Sequence, residues 1–379
     1  MKNNQKKKVL IGMSGGVDSS VATYLLKKQG YDVIGVTMQI WDGVDEENGT
    51  CCSLSAVEDA RKVASKLNIP HYIFNFKQSF DKKVVQYFIS EYLQGKTPNP
   101  CIACNKHIKF DELLKRAIKM DIDYVSTGHY ARIEKVKKQN KERYILKKAK
   151  DKTKDQSYVL YNLTQEQLVR SIFPLGNLKK KKVRKIAKKI GLGVSEKPDS
   201  QEICFVEDND YPRFIQEQTK REFEKGDIVD LEGNVLGQHE GIHKYTVGQR
   251  KGIKTVSNEP LYVVRIDTQS NKVVVGREED VYTRELIAED LNWIGIEKLE
   301  GELKAKAKIR YRSEDADCTI SNIKKERENE KERDTEKVLV KFDKKQRAIT
   351  PGQSVVFYKK DTVLGGGTIY PDEDRKTNT

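Results

Sequence analysis

The chain has 379 residues, so two or three domains are expected, and its 37% hydrophobic content supports folded cores. Its 71 basic against 57 acidic residues, a net of +14, point to a polyanionic partner, nucleic acid first; a solubilising lysine surface is the blander reading. No run approaches the ~18 apolar residues of a membrane span, and the basic Lys2–Lys8 leads into a strand rather than a signal-peptide apolar region. The expected setting is the cytoplasm, without membrane contact, and the six cysteines read as thiols or ligands rather than a disulfide framework.

The first element is a buried parallel strand from Val9, followed by two glycines flanked by hydroxyls and a helical run, Val21 to Gln29. A strand feeding a glycine turn into a helix N-terminus is an anion site: backbone N–H groups face the ligand, and Ser14, Ser19 and Ser20 add hydroxyl donors. The lysine of a Walker A loop is missing. The string Ser14-Gly15-Gly16-Val17-Asp18-Ser19 resembles instead the pyrophosphate loop of the ATP pyrophosphatases. That resemblance implies cleavage between the α- and β-phosphates, transfer of AMP to a substrate oxygen, and Mg²⁺ oriented by Asp18. A plain glycine turn is the competing reading.

Asp32 to Met38 is a second strand, and strand–helix–strand within about thirty residues is a βαβ unit with a right-handed crossover. Ligands of such sheets sit at the strands' carboxyl ends, so Met38 is a candidate adenine contact or a core residue. Trp41 to Thr50 is a polar loop ending at Cys51 and Cys52, which read as structural. Ala56 to Leu67 reads as a helix, Tyr72 to Phe76 as strand three, and Phe80 to Leu93 as a helix stopping at Gly95.

Thr97-Pro98-Asn99-Pro100-Cys101-Ile102-Ala103-Cys104-Asn105 follows, its two prolines opposing regular structure, with a helix resuming at Phe110. The Cys-x-x-Cys has three readings. A zinc knuckle lacks a second ligand pair, a thioredoxin-like dithiol lacks a preceding strand, and a reactive thiol at a helix start would have its pKa lowered by the dipole. Asp123 to Ser126 reads as strand four, with Gly128-His129 at its end suited to an active-site rim or an ordinary loop. Arg132 to Lys154 holds eleven basic and three acidic residues, and Lys179 to Lys189 eight basic in eleven. Their density tilts the reading from a solvated face toward phosphate-backbone contact. Cys204, between Ile203 and Phe205, is either a buried inert thiol or a reactive one.

After about residue 208 the βα alternation stops. Asp227 to Val229, Leu261 to Ile266 and Lys272 to Val275 are short β-type runs of a small β-rich domain. Leu303 to Tyr311, Val338 to Phe342 and Ser354 to Tyr358 suggest a small β-barrel, with Lys324 to Lys337 a solvated loop and a polar tail from Asp372.

Several segments occur in one order: Ser14 to Ser19, Thr97 to Asn105, Gly128-His129-Tyr130, Lys154-Asp155-Gln156-Ser157-Tyr158, Asp199 to Phe205, Gly248 to Gly252, Arg310-Tyr311-Arg312 and Thr350 to Gln353. Together they resemble the bacterial tRNA-specific 2-thiouridylases over nearly the whole chain. The resemblance implies an α/β parallel-sheet nucleotide-binding domain of the adenine nucleotide α-hydrolase-like type (1–208), a small central β-rich domain (209–284) and a C-terminal β-barrel contacting tRNA (285–379). It implies adenylation of the wobble uridine's 2-carbonyl oxygen and replacement of that oxygen by persulfide sulfur. The persulfide falls on Cys204 and the partner thiol on Cys104, leaving a Cys104–Cys204 disulfide for a reductant to reset. ATP falls on Gly12, Met13, Ser14, Gly15, Gly16, Val17, Asp18, Ser19, Met38 and Gly128. The target base falls near Asn99, Pro100 and Cys101, and tRNA, through its anticodon loop, on His129, Lys154, Asp155, Gln156, Arg310, Tyr311 and Gln353. A cysteine desulfurase or relay protein is the implied sulfur donor.

Many members of that family carry Asp where Cys101 stands. The cysteine there adds a third thiol, so an iron–sulfur cluster on Cys101, Cys104 and Cys204 is an alternative to the persulfide. Two rivals need no cysteine pair: another adenylating ligase with the same loop, and an RNA-binding protein whose loop is vestigial.

Overall fold

Val9, Leu10 and Ile11 are completely buried because β1 (Lys8–Gly12) is the middle strand of a parallel sheet. A strand covered on both faces needs an unbroken apolar run, as this one has. The computed structural model describes residues 6–41, 54–138, 141–197, 203–206, 208, 210–255, 257, 259–323 and 336–371. The readings made for Cys51 and Cys52, for most of the 41–50 loop, for 198–202, for the 324–335 charge run and for the tail from 372 lie outside the described residues. The chain forms two compact units: 1–86, 100–209 and 361–363 make the first, and 87–99, 210–360 and 364–379 the second.

In the first unit, β2 (Asp32–Gln39) and β3 (His71–Asn75) lie on one side of β1, and β4 (Tyr124–Ser126) and β7 (Ser171–Ile172) on the other, every pairing parallel. The order β3-β2-β1-β4-β7 therefore reverses at β1. Beyond the carboxyl ends of β1 and β4 lies the crevice where open α/β sheets bind ligands. Helices α1 (Val17–Lys28), α2 (Leu54–Lys66) and α8 (Lys180–Lys189) cover one face, with Val21, Leu26, Ala60, Val63, Val183 and Ala187 packed with Val9 and Ile11. The basic run is thus an amphipathic helix. Lys180, Val183 and Ala187 are its buried positions, and Lys181, Lys182, Lys185, Lys188 and Lys189 are exposed. Much of the other basic stretch is an antiparallel hairpin of β5 (Ala131–Lys138) and β6 (Lys141–Lys148).

The Pro-Asn-Pro segment departs from expectation. Pro100 begins a helix: α5 (Pro100–Cys104) continues through a π-helical stretch, Asn105–Glu112, into α6 (Leu113–Lys119). Proline is well suited to a first helical position, where no N–H is needed and its fixed φ is already helical. Cys101 therefore sits in the first turn, and Cys104 ends α5 rather than starting a helix.

In the second unit, helix α9 (Tyr211–Thr219) has no counterpart in the sequence reading. Asp210 caps it, its carboxylate accepting from the Arg213 N–H at 3.0 Å, with Pro212 in the first turn. Strands β8 (Gly226–Val229), β9 (Val235–His239), β10 (Tyr262–Asp267) and β11 (Lys272–Gly276) form a sheet ordered β10-β11-β8-β9. Six further strands close a barrel: β12 (Tyr282–Trp293), β13 (Leu303–Lys308), β14 (Ala316–Asn322), β15 (Val338–Arg347), β16 (Ser354–Lys359) and β17 (Thr362–Ile369). Closure follows because β12 pairs with both β15 and β17. Leu286, Ile320, Val340, Phe342, Val355 and Phe357 fill it. Cys318 lies in that core, its thiol pushed up to about 12 chiefly by burial, and is inert packing. Among the described residues no helix is long and apolar enough to cross a membrane.

All five histidines, His71, His107, His129, His239 and His243, have pKa values below the usual imidazole range, with burial the leading cause in each. His243 falls to about 4; it is buried against Phe223 and, among the described residues, neither ring nitrogen has a hydrogen-bond partner. The unfolded chain, with imidazoles near ~6.5, takes up protons first as pH falls. The stability contributed by neutral histidines is present above that value and lost toward pH 4. Thermal melts should show Tm falling between pH 7 and 5. His243→Phe should flatten that slope while keeping Tm at pH 7; an unchanged slope would refute the assignment.

Candidate active site

The turn after β1 is built to leave N–H groups open. Gly16 caps α1 with no side-chain hydrogen bond, so the first-turn amides remain available to an anion. Gly15 has φ +66°, and a Cβ there would lie 2.4 Å from the Ala56 carbonyl oxygen, so only glycine lets the loop pass α2. Ser19 Oγ accepts from the Ser14 N–H at 3.3 Å and donates to Gly16 O at 3.2 Å, which holds the turn closed. Ser14 itself is exposed at the tip. Gly128, just past β4, approaches so closely that a Cβ would lie 2.7 Å from Ser19 N. Met38, near the end of β2, lies over Gly12, where a Cβ would be 3.3 Å from its Cε. The reversal point thus gathers Gly12 to Ser19, Met38 and Gly128.

Asp18 faces two partners that sequence reasoning did not pair with it. Tyr130 Oη donates to Oδ1 at 2.7 Å and Lys180 Nζ to Oδ2 at 2.6 Å. Each carboxylate oxygen retains a second lone pair, so Asp18 fits a role in holding Mg²⁺. Tyr130 is fixed in turn by Gln156, whose side-chain oxygen accepts from the Tyr130 N–H and whose own N–H donates to the Tyr130 carbonyl, both at 2.9 Å. Asp155 accepts from the N–H groups of Ala149 and Ser157 and from the Ser157 hydroxyl. Asp155 and Gln156 therefore brace the loop, while Lys154 is half-buried beside them. His129 is 7% exposed, between Phe110 and Phe173, with Thr127 Oγ1 2.7 Å from Nδ1. Its side chain offers no surface to a polynucleotide in this conformation.

The two cysteine segments reach the same edge of the sheet. Phe205 packs edge-on against Phe80, centroids 5.6 Å apart, and against Trp41 at 6.2 Å. Trp41 lies just beyond β2, and Phe80 ends α3 (Lys77–Phe80), just beyond β3. The π-helical turn after Phe80, Asp81–Val85, packs on α5, which ends in Cys104. Asn105 anchors the next turn, donating to Val159 O at 3.0 Å. Cys104 is buried, Cys101 exposed and Cys204 partly exposed in a turn, and all three are thiols. Among the described residues no three His, Cys, Asp or Glu side chains gather as a metal site. Cys101, Cys104 and Cys204 are thus not gathered into a cluster ligand set.

Within the second unit, the segment before α5 is clamped. Thr97 N–H donates to Pro351 O at 2.8 Å, and Gln353 Nε2 donates to Thr97 O at 2.7 Å. Thr97 Oγ1 meets Thr246 Oγ1 at 3.2 Å. Arg310 donates to the carbonyls of Arg347 and Ala348. Gln353 and Arg310 are thus used inside the unit, whereas Tyr311 is 37% exposed with Lys308 Nζ 5.7 Å from its ring. Asn99 is half-buried and Pro100 buried.

Residues 7–208 match the family described as tRNA methyl transferase HUP domain, 212–277 that described as tRNA methyl transferase PRC-barrel domain, and 283–369 that described as aminomethyltransferase beta-barrel domain. The chain is similar to the tRNA-specific 2-thiouridylase MnmA of Acetivibrio thermocellus, 56% identical over 96% of this chain and 99% of that one. It is similar also to tRNA-specific 2-thiouridylase MnmA 1 of Thermoanaerobacter pseudethanolicus (56%, covering 97% and 99%) and to MnmA of Clostridioides difficile (55%, covering 96% and 98%).

Replacing Gln353 with Ala removes a grip on the Thr97 carbonyl without touching the sheet. Hydrogen–deuterium exchange should rise by about tenfold or more in peptides spanning 94–104, with β1 and β2 unchanged. Unaltered exchange at Thr97 would show that Gln353 does not hold the segment.

Proposed function

Because the chain belongs to the tRNA-specific 2-thiouridylase family, we propose that it uses ATP to adenylate the 2-carbonyl oxygen of a wobble uridine and replaces that oxygen with sulfur carried as a persulfide on Cys204. The enzyme is a transferase that thiolates tRNA; the route is our reading. The observation that carries it is that one sheet has at its carboxyl ends both an anion loop with open amides, after β1, and the two cysteine segments, joined beyond β2 and β3 by the Trp41–Phe205–Phe80 contacts. An adenylating ligase has no use for the cysteine segments. The methyl transfer named in two of the matched descriptions likewise has no use for an anion loop and two thiols on one sheet.

A uracil carbonyl oxygen is a poor leaving group, and attaching AMP makes it a good one. The uridine oxygen attacks the α-phosphorus, the α–β bridging bond breaks, and pyrophosphate leaves with the electron pair. The N–H groups of the 15–19 turn stabilise that charge. Mg²⁺, when bound near Asp18, supplies further charge neutralisation. The terminal persulfide sulfur then attacks C2 and AMP departs. Cys104 attacks Cys204 Sγ, breaking its bond to the transferred sulfur, which stays on the base as 2-thiouridine. A Cys104–Cys204 disulfide remains, and a thiol reductant returns it to two thiols. A desulfurase or relay protein reloads Cys204.

Cys101 stands one helical turn from Cys104 and is exposed, which fits a place beside the target base with Asn99 and Pro100. The base of a single-stranded anticodon loop can be splayed into such a site at low cost. Exposed Tyr311, half-buried Lys154 and the outward lysines of α8 fit tRNA contact, and the hairpin's basic residues add phosphate affinity that falls steeply with salt. Asp155, Gln156 and His129 in the first unit, and Arg310 and Gln353 in the second, fit supporting roles in tRNA recognition as braces of their own loops.

The test is nucleoside mass spectrometry of wobble-uridine tRNA incubated with the protein, Mg·ATP, a desulfurase and cysteine. ATP-dependent 2-thiouridine is expected. Cys104→Ser and Cys204→Ser should each abolish it while leaving pyrophosphate release from ATP and tRNA within about threefold of wild type, since they act after adenylation. A thiolating Cys104→Ser enzyme would overturn the two-cysteine route.

A further inference from the structure

We propose that Lys180 is a phosphate-binding residue of this site, supplying from a distant helix the positive charge that the 14–19 loop lacks in its own sequence. The proposal rests on the ATP reading above and names a residue for it. No Lys or Arg lies between Met13 and Lys27, yet the loop carries Asp18, whose charge opposes an incoming polyphosphate. Lys180 Nζ lies 2.6 Å from Asp18 Oδ2 and 5.9 Å from the centre of the Tyr130 ring, the residue that holds the other carboxylate oxygen.

The placement is costly for a lysine that only packs. Lys180 is 9% exposed, while Lys179, Lys181 and Lys182 on either side are exposed. The next buried positions on that face of α8 are Val183 and Ala187, and an aliphatic residue at 180 would serve the core without a desolvated charge. The backbone is fixed as well: the Lys180 N–H donates to Asp151 Oδ2 at 2.8 Å, so the side chain starts from an anchored point. An ammonium has three donors and Asp18 takes one, so one lysine can both neutralise the carboxylate and bond a phosphate oxygen. When the α–β bond breaks, the β-phosphate oxygen gains the electron pair. Lys180 stabilises that charge.

The experiment is isothermal titration of the full chain with Mg·ATP, Mg·pyrophosphate and AMP. Lys180→Met should weaken pyrophosphate and ATP binding by about tenfold to a hundredfold and AMP binding by less than about twofold, with Lys180→Arg recovering part of the loss. Pyrophosphate binding within twofold of wild type would overturn the proposal, as would an equal loss for AMP and pyrophosphate, which marks a structural ion pair. Should Lys180→Met fail to fold, Asp18→Asn keeps the lysine and removes its competitor. Metal-free pyrophosphate should then bind more tightly than to wild type, and unchanged or weaker binding refutes the role. A wild-type protein that binds neither ATP nor pyrophosphate would overturn the ATP reading itself.

Discussion

Asp18 sits in the first turn of α1, at the point where the helix N-terminus and the open amides of the 15–19 turn attract an anion. A carboxylate there is favourable for the helix, because it meets the positive end of the dipole. For a polyphosphate it is unfavourable, because two anions would share one site. The fold reconciles the two demands by bringing a phenol and an ammonium onto the carboxylate from segments 112 and 162 residues away. Tyr130 is placed by Gln156, and Lys180 by Asp151. The 151–157 turn therefore sets the charge of the loop from outside it. Gly128 completes the arrangement by permitting the contact with Ser19 that draws the β4 end against α1.

The second constraint is the seating of the turn that carries Cys204 against the sheet. Its neighbour Phe205 is clasped by two aromatic rings from the ends of β2 and β3. Such pairs are worth about 0.5–1.5 kcal/mol each beyond the area they bury, enough to seat a turn against the sheet edge but far below the cost of unfolding a domain. The proposed route uses that balance: it needs Cys204 within the ~4.4–6.8 Å Cα separation of a disulfide with Cys104. Cys104, by contrast, is buried at the end of α5 with Asn105 pinned to Val159.

What was legible in the sequence was what neighbours in the chain decide. The strand, glycine turn and helix at 8–28 are dictated locally, and so are β2, β3 and the apolar runs that became β11 and β16. The Tyr130–Asp18–Lys180 contacts were hidden because Lys180 is one of eight bases in eleven residues and only tertiary packing selects it. Pro100 was misleading in the other direction, since proline stops a helix from within but starts one from its first position. Strands β12 and β14 were missed because their outward faces are charged or polar. In β14 Ala316, Cys318 and Ile320 are turned into the barrel core, and of these only Ile320 is a large aliphatic, so the alternation is faint. The thiol chemistry of Cys104 and Cys204 was readable only through family resemblance, because the contact linking their segments runs through Phe80 and Phe205, which carry no chemistry themselves.

The segment ahead of α5 shows how few contacts can stiffen a stretch of chain. Pro98 and Pro100 lack N–H groups, so within 97–100 only Thr97 and Asn99 have a backbone donor to offer. The second unit grips Thr97 on all its polar atoms: the N–H by Pro351, the carbonyl by Gln353 and the hydroxyl beside Thr246. Gly352 allows the close approach, since a Cβ there would lie 3.0 Å from Thr97 N. Each proline fixes its own φ and restricts the residue before it, so the chain from Thr97 to Pro100 has few soft torsions left. Holding Thr97 at its N–H, carbonyl and hydroxyl therefore fixes a segment that its own prolines have already stiffened, and Gln353 contributes to that stiffness from within the same unit.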